Sequence, residues 1–469
     1  MKTTKKIFAA VLAVMMIALM IPFSASAAEG NTYNAFIKGK NGFTVNVYKV
    51  AKINTTTGEY TEIQGGTAVA TALKTWKNAS GNDSKALLAA CESATFTDAD
   101  SKGDHTFASD EDVYNFGTNE AGVYYVKVTG QPAETSVKKK GGALFALPEG
   151  TKTTQGSAEA PIELKINTGA VEVSKEIVGG DIDTKHTTAS AGDTVTFKLT
   201  ASVTGSKEVP LTEYTIHDNL SGSFDTPAVT EVKVDNTKLS TSDYTVDASS
   251  QSDIKISLSE SYLKAAKEGT NDFYASSDVT VTLTAILKDT AVSGNTATAN
   301  SNSDRLTYTN TYGQAEKSGE TVYVYTFDLP VFKYDGTTAD KKGLGNATFV
   351  LKKADGTEVA TKVTSVEAGS EGKVTFEKLG AGTYTVQETI APSGYNRNST
   401  LYTINISVEG VITVNGDSNT VTTLEVPNYP VTVPQTGGMG TMMFYIGGAA
   451  LIACAGVLLF VLKRKKAAK

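Results

Sequence analysis

Two cysteines in 469 residues, Cys91 and Cys454, leave little room for disulfide chemistry. Cys454 sits inside an apolar run near the C-terminus, so Cys91 stands alone in the rest of the chain and an intramolecular disulfide is excluded there. Covalent stiffening, if the chain has any, must use other bonds. Histidine is equally scarce, with three in the chain, and neither Gly-x-Ser-x-Gly nor His-Glu-x-x-His occurs. An extracellular hydrolase therefore lacks both its usual nucleophile turn and its usual zinc helix. No enzyme activity on an external substrate, no cofactor and no metal site are expected.

Both termini carry segments that act before the mature protein does. Lys2, Lys5 and Lys6 precede an apolar stretch from Ile7 to Ile21, and Ala25-Ser26-Ala27 offers a small-residue cleavage site. Residues 1–27 thus read as a secretory signal peptide. At the other end, Val433-Pro434-Gln435-Thr436-Gly437 is followed by 21 apolar residues, Met442 to Leu462, and then by Lys463-Arg464-Lys465-Lys466. A helix of that length spans ~30 Å, the hydrocarbon thickness of a bilayer, and the basic cluster holds its far end in the cytoplasm. A membrane anchor alone would need no special residues before it. The pentapeptide resembles the Leu-Pro-x-Thr-Gly sorting signal of sortase substrates, with Val in place of Leu. That resemblance implies cleavage between Thr436 and Gly437 and transfer of the Thr436 carbonyl to an amine. The product, Ala28 to Thr436, has 409 residues, enough for about three domains. It carries 35 basic and 50 acidic residues, net −15, and only Arg305 and Arg397 as arginines. Nucleic acid is excluded as a partner by that balance.

Between these segments the chain is rich in Thr, Val, Tyr and Ser, in short alternating runs broken by Gly, Asn and Asp. This pattern predicts an all-β protein of tandem immunoglobulin-like β-sandwiches in an elongated array. Residues 195–203 and 279–287 alternate almost without error, and each should bury one face. Helices are expected only over 68–77, which includes Trp76, and over 259–268. Pattern breaks near 148–168 and 312–328 give an N-terminal domain at 28–168, a middle domain at 169–327 and a C-terminal domain at 328–430. A polar loop is expected over 313–320, and Cys91 and Trp76 are expected to be core residues.

The third domain contains Tyr384-Thr-Val-Gln-Glu388-Thr-Ile-Ala-Pro392-Ser-Gly394-Tyr395. Alternation puts Tyr384, Val386 and Glu388 on one strand face, and the apolar pair marks that face as the core. A carboxyl there is costly unless neutral or paired. The segment resembles the "E-box" of Gram-positive pilins and of the B-type repeats of collagen adhesins, with Val386 where Leu is usual. The resemblance implies a self-formed isopeptide bond between Lys333, in Val331-Phe-Lys-Tyr-Asp, and Asn428, in Val426-Pro-Asn-Tyr-Pro, promoted by Glu388. Burial favours the uncharged amine and the uncharged acid. The acid can then polarise the Asn carboxamide and shuttle protons as ammonia leaves.

The middle domain resembles the A-type module of collagen adhesins. The resemblance assigns Lys175 (Val173-Ser-Lys-Glu-Ile) as nucleophile, Asp218 (Tyr214-Thr-Ile-His-Asp218-Asn-Leu) as the promoting acid and Asn310 (Tyr308-Thr-Asn310-Thr) as the partner. In the first domain Gly122-Val-Tyr-Tyr-Val-Lys-Val128 looks like an E-box strand without its Glu, so no such bond is expected there. Shaft pilins join to the next subunit through a Lys in a Val-Tyr-Pro-Lys-Asn motif about ten residues before the middle domain's isopeptide Lys. Here Pro161-Ile-Glu-Leu-Lys165-Ile-Asn167 stands ten residues before Lys175, with Glu-Leu for Tyr-Pro and Ile166 inserted before Asn167.

Taken along its whole length the chain resembles the sortase-assembled major pilins of the SpaA type. That resemblance implies a cell-wall-anchored surface pilus of a Gram-positive bacterium, with sortase, identical subunits and peptidoglycan as partners. Minor pilins and host surface ligands are further candidate partners. The alternative is a monomeric wall-anchored adhesin, or a minor basal or tip pilin, built from the same modules. Tip adhesins usually carry an Asp-x-Ser-x-Ser metal insertion, which the sequence lacks.

Overall fold

The computed structural model describes residues 32–54, 59–76, 83–97, 101–139, 141–147, 161–164, 166–295, 300–432 and 440–466. The expected signal peptide, the Val433–Gly437 pentapeptide and Lys165 lie outside the described residues. The chain divides into two compact units, Met1–Thr326 and Phe327–Lys469, built almost wholly of strands in several sheets.

In the first part of the Met1–Thr326 unit, the strand Thr44–Ile53 pairs antiparallel with Gly122–Gly130, and Gly142–Leu147 extends the same sheet. Two helices, Gly66–Trp76 and Asp83–Ser93, cover the end of that sheet that carries Tyr48 and Tyr125. Cys91 is buried among Leu87, Leu73 and Tyr125, as an ordinary core residue. The first helix falls where the sequence predicts it. The second was not predicted, although Leu87 and Cys91 bury one face at a spacing of four.

The second part of this unit is a sandwich of a five-stranded and a six-stranded sheet. Strands Thr194–Ser202 and Asp278–Ile286 pair antiparallel along their full length, Val195 opposite Ala285 and Ala201 opposite Val279. Their alternating residues Val195, Phe197, Leu199, Val279, Val281 and Leu283 point inward, which is why an unbroken V-T-V-T pattern folds as a half-buried strand. The helix Glu260–Glu268 is capped by Ser259, which accepts from the Tyr262 N–H, and ends at Gly269 in the left-handed region (φ 77°). The loop expected over 313–320 is instead the start of a 13-residue strand, Gly313–Tyr325. A tight turn after Asn310 folds it back on Ser301–Asn310, and backbone pairing holds it although its side chains are mostly polar.

The Phe327–Lys469 unit contains a three-stranded and a six-stranded sheet. Its first strand, Phe327–Asp335, lies parallel to its last, Leu424–Asn428, with Lys333 opposite Val426 and Asp335 opposite Asn428. The strand Gly382–Ile390 belongs to the six-stranded sheet. The C-terminal helix Gly440–Lys466 contains a segment, Met442–Arg464, with mean hydropathy 2.4, long and apolar enough to cross a membrane.

Candidate functional site: two buried lysine–carboxyl–amide clusters

Strict alternation buries every second residue of Phe327–Asp335, so Lys333 shares the inward face with Phe327, Leu329 and Val331. The same rule turns Asn428 inward beside Val426, and turns Glu388 inward beside Tyr384 and Val386. Lys and Asn thus come from one sheet and the acid from the other. All three side chains are buried, at 0%, 1% and 1% exposure. Burying a charge costs several kcal/mol, and only mutual contact offsets it.

That contact is complete. Lys333 Nζ donates to Asn428 Oδ1, and also to the Val426 carbonyl at 3.1 Å. Glu388 Oε1 lies 2.9 Å from Asn428 Nδ2 and 3.6 Å from Lys333 Nζ. Burial lowers the Lys333 pKa to about 8, against the opposing pull of the Glu388 carboxyl and its hydrogen bond. A useful fraction of neutral, nucleophilic amine is therefore present near neutral pH. Asn428 turns its amide nitrogen to Glu388, because Lys333 occupies the oxygen. Glu388 Oε1 stands between the incoming nitrogen and the leaving one.

One contributor has no counterpart in the motif. The Asn398 N–H donates to Glu388 Oε2 at 2.6 Å. Its side-chain amide donates to the Pro427 carbonyl and to the Tyr402 hydroxyl, both at 3.1 Å. Asn398 therefore ties the acid to the strand carrying Asn428. It follows the Pro392-Ser-Gly394-Tyr395 turn by three residues, outside the segment that the pattern covers.

In the Met1–Thr326 unit, Lys175 lies on Val173–Ile177, inward between Val173 and Ile177, at 1% exposure. Its Nζ donates to Asp218 Oδ1 and, at 3.4 Å, to the Ser303 carbonyl. Burial lowers the Lys175 pKa, opposed by Asp218 and Asp304; burial raises that of Asp218, opposed by Lys175 and by Asn302. Asn310, the partner that the sequence suggests, is elsewhere. Its Nδ2 donates to Gln131 Oε1 at 3.2 Å and its Oδ1 accepts from the Tyr312 N–H at 2.8 Å. It is part of a polar seam that also joins Tyr308 to the Thr135 carbonyl and Lys138 to the Val203 carbonyl, both at 2.8 Å. Strand register explains the displacement. Asp218 pairs with Asp304, and Asn310 lies six residues farther along, ~20 Å at the usual strand rise. The residue brought to the cluster is Asn302, fully buried and placed so that its side chain acts on the Asp218 carboxyl.

The chain on either side of Lys165 is held by backbone pairing, Ile162–Glu163 with Ile37–Lys38 and Thr168–Ala170 with Thr135–Val137. Among the described residues no group of His, Cys, Asp and Glu could hold a metal ion.

Residues 328–420 match the family model of the SpaA prealbumin-like fold domain. No curated protein sequence matches the chain. Among solved structures it is similar to the full-length major pilin SpaD of Corynebacterium diphtheriae, with TM-score 0.56, 18% identity, and coverage of 87% of this chain and 100% of that one. It is also similar to the three-domain T6 backbone pilin of serotype M6 Streptococcus pyogenes, with TM-score 0.54, 16% identity and 81% coverage of each chain. The Corynebacterium diphtheriae major pilin SpaA gives TM-score 0.50 and 15% identity, over 84% of this chain and 99% of that one. The C-terminal part of the chain is therefore similar to the SpaA-type prealbumin-like domain, within a protein that has the fold of the major pilins.

Proposed function

We propose that this chain is the shaft subunit of a covalent cell-surface pilus, stiffened by two self-formed Lys–Asn isopeptide bonds. The observation that carries the reading is the contact of Lys333, Asn428 and Glu388 in the buried core, inside the domain that matches the SpaA-type model. A buried amine and a buried carboxamide held in contact are arranged for acyl transfer rather than for stability alone. Neutral Lys333 Nζ attacks Asn428 Cγ, the Cγ–Nδ2 bond breaks, and one proton passes from Nζ to Nδ2 as ammonia leaves. Glu388 Oε1, within reach of both nitrogens, carries that proton and finishes unchanged. Lys175 reacts likewise with Asn302, with Asp218 as the carrier. Sortase then cuts between Thr436 and Gly437 and joins Thr436 to Lys165 of the next subunit, and the last subunit to peptidoglycan. The apolar helix supports transient membrane retention before that step.

Wall extracts boiled in denaturant and blotted for this protein test the reading. A ladder of high-mass species is the expected result, and a single band at subunit mass would assign the chain to an isolated adhesin instead. The partner in the middle domain is tested separately. Asn302→Ala should abolish the Lys175 cross-linked peptide in a digest, whereas Asn310→Ala should leave it intact. The reverse outcome would restore Asn310.

A further inference from the structure

The C-terminal cluster contains one carboxyl, but the Lys175 cluster contains two. Asp304 follows Asn302 by two residues on one strand, so both face the core, and it pairs directly with Asp218 across the sheet. It is buried, its Oδ1 accepts the Glu320 N–H at 2.9 Å, and its Oδ2 has no hydrogen-bond partner. The space it fills exists because residue 319 is glycine; a methyl group there would collide with Asp304 Oδ1.

The charge count makes this arrangement consequential. Lys175 as ammonium and Asp218 as carboxylate form a neutral pair, which can become amine and acid by internal proton transfer. An ionised Asp304 adds a buried negative charge, and that charge favours the ammonium. We propose that Asp304 is a positioning residue that gates the middle-domain linkage by its own protonation. Neutral, it lets Lys175 pass its proton to Asp218 and attack Asn302; ionised, it pins Lys175 as an unreactive ammonium. The inference rests on the proposed self-linking role of this cluster. Burial raises the Asp304 carboxyl to about 6, opposed by Lys175 and by the hydrogen bond from the Glu320 N–H, with the Asp218 and Glu320 carboxylates adding to the rise. The groups facing it are Lys175, Asp218 and Glu320, and Glu320 is held ionised by its pairing with Lys185. The gate is thus set within the range of ordinary environmental pH.

The test uses the chain from Ala28 to Thr436, purified unfolded from inclusion bodies and refolded by dilution at pH 5 and pH 7.5. Mass spectrometry of digests follows the Lys175–Asn302 and Lys333–Asn428 peptides with time. The middle-domain link should form on the order of tenfold faster at pH 5, following the neutral fraction of Asp304. Asp304→Asn should form it at the fast rate at both pH values, while the Lys333–Asn428 rate at each pH stays equal to that of the wild type, as an internal control. Equal wild-type rates at the two pH values, or an Asp304→Asn variant that keeps the wild-type difference, would overturn the gate while leaving the linkage intact. Absence of the Lys175–Asn302 peptide at both pH values, with the Lys333–Asn428 peptide present, would overturn the self-linking role and the gate with it. Should the Asn variant fail to fold, the wild-type comparison decides alone.

Discussion

Lys333→Met is expected to lower the melting temperature of the C-terminal unit by roughly 20 °C or more. The proposed bond would join residues 95 apart in sequence, the first strand to the last. By the chain-entropy relation used for disulfides, closing a loop of that size stabilises the folded state by about 4–5 kcal/mol. Methionine keeps most of the volume of the lysine side chain and removes only its amine. Loss of one partner of a buried ion pair would also destabilise, because it leaves Glu388 buried and unpaired. The double variant Lys333→Met with Glu388→Gln separates the two accounts: for a plain ion pair, removing both charges would be close to neutral or stabilising, whereas loss of a covalent link still predicts a large fall. Thermal unfolding of the mature chain, followed by circular dichroism, reads the result, and trypsin sensitivity of the variant should rise with it. A midpoint within a few degrees of wild type would mean that no bond forms there.

Lys165→Ala is expected to remove the high-mass ladder completely while leaving each subunit folded, internally linked and attached to the wall. Polymer growth needs a lysine that sortase can reach, a condition that fully buried Lys333 and Lys175 cannot meet. A bond from Thr436 of one subunit to Lys165 of another is heterologous and does not close, so it generates a filament of one direction. Deleting Val433–Gly437 should remove both the ladder and the wall attachment. The two outcomes differ because the first variant loses an acceptor and the second loses the acyl donor. A ladder that survives Lys165→Ala would transfer the acceptor role to another lysine, with Lys139 and Lys152 next to test.

The legibility of these features in the sequence follows from how local their signals are. Glu388 could be read from the chain because alternation fixes its face and a long motif marks it, while Lys333 and Asn428 come from the family resemblance that this motif carries, on strands whose alternation turns them inward. The Lys175 partner could not be read this way. Residues 302, 304, 306, 308 and 310 all face the core of one strand, and the sequence marks none of them as the neighbour of Asp218. That choice is made by pairing register with Glu213–Leu220, a property of two strands together. The polar strand Gly313–Tyr325 escaped for a related reason, since its order comes from the hairpin with Ser301–Asn310 rather than from its own side chains. Asn398 acts on Glu388 through its backbone N–H, which no side-chain pattern can announce. Among the described side chains of the helix Asp83–Ser93 two are fully buried, and the apolar Ala86, Leu88, Ala89 and Ala90 around them blur the one-sided pattern that would mark a helix.

The central claim, that the two buried lysines are joined to asparagines, is tested most directly by the intact mass of the chain from Ala28 to Thr436. Each bond expels one ammonia, about 17 Da, so the account predicts a mass about 34 Da below the value calculated from the sequence. Glu388→Ala should bring back one ammonia's worth, and Asp218→Ala the other. A wild-type mass equal to the calculated value would contradict the account.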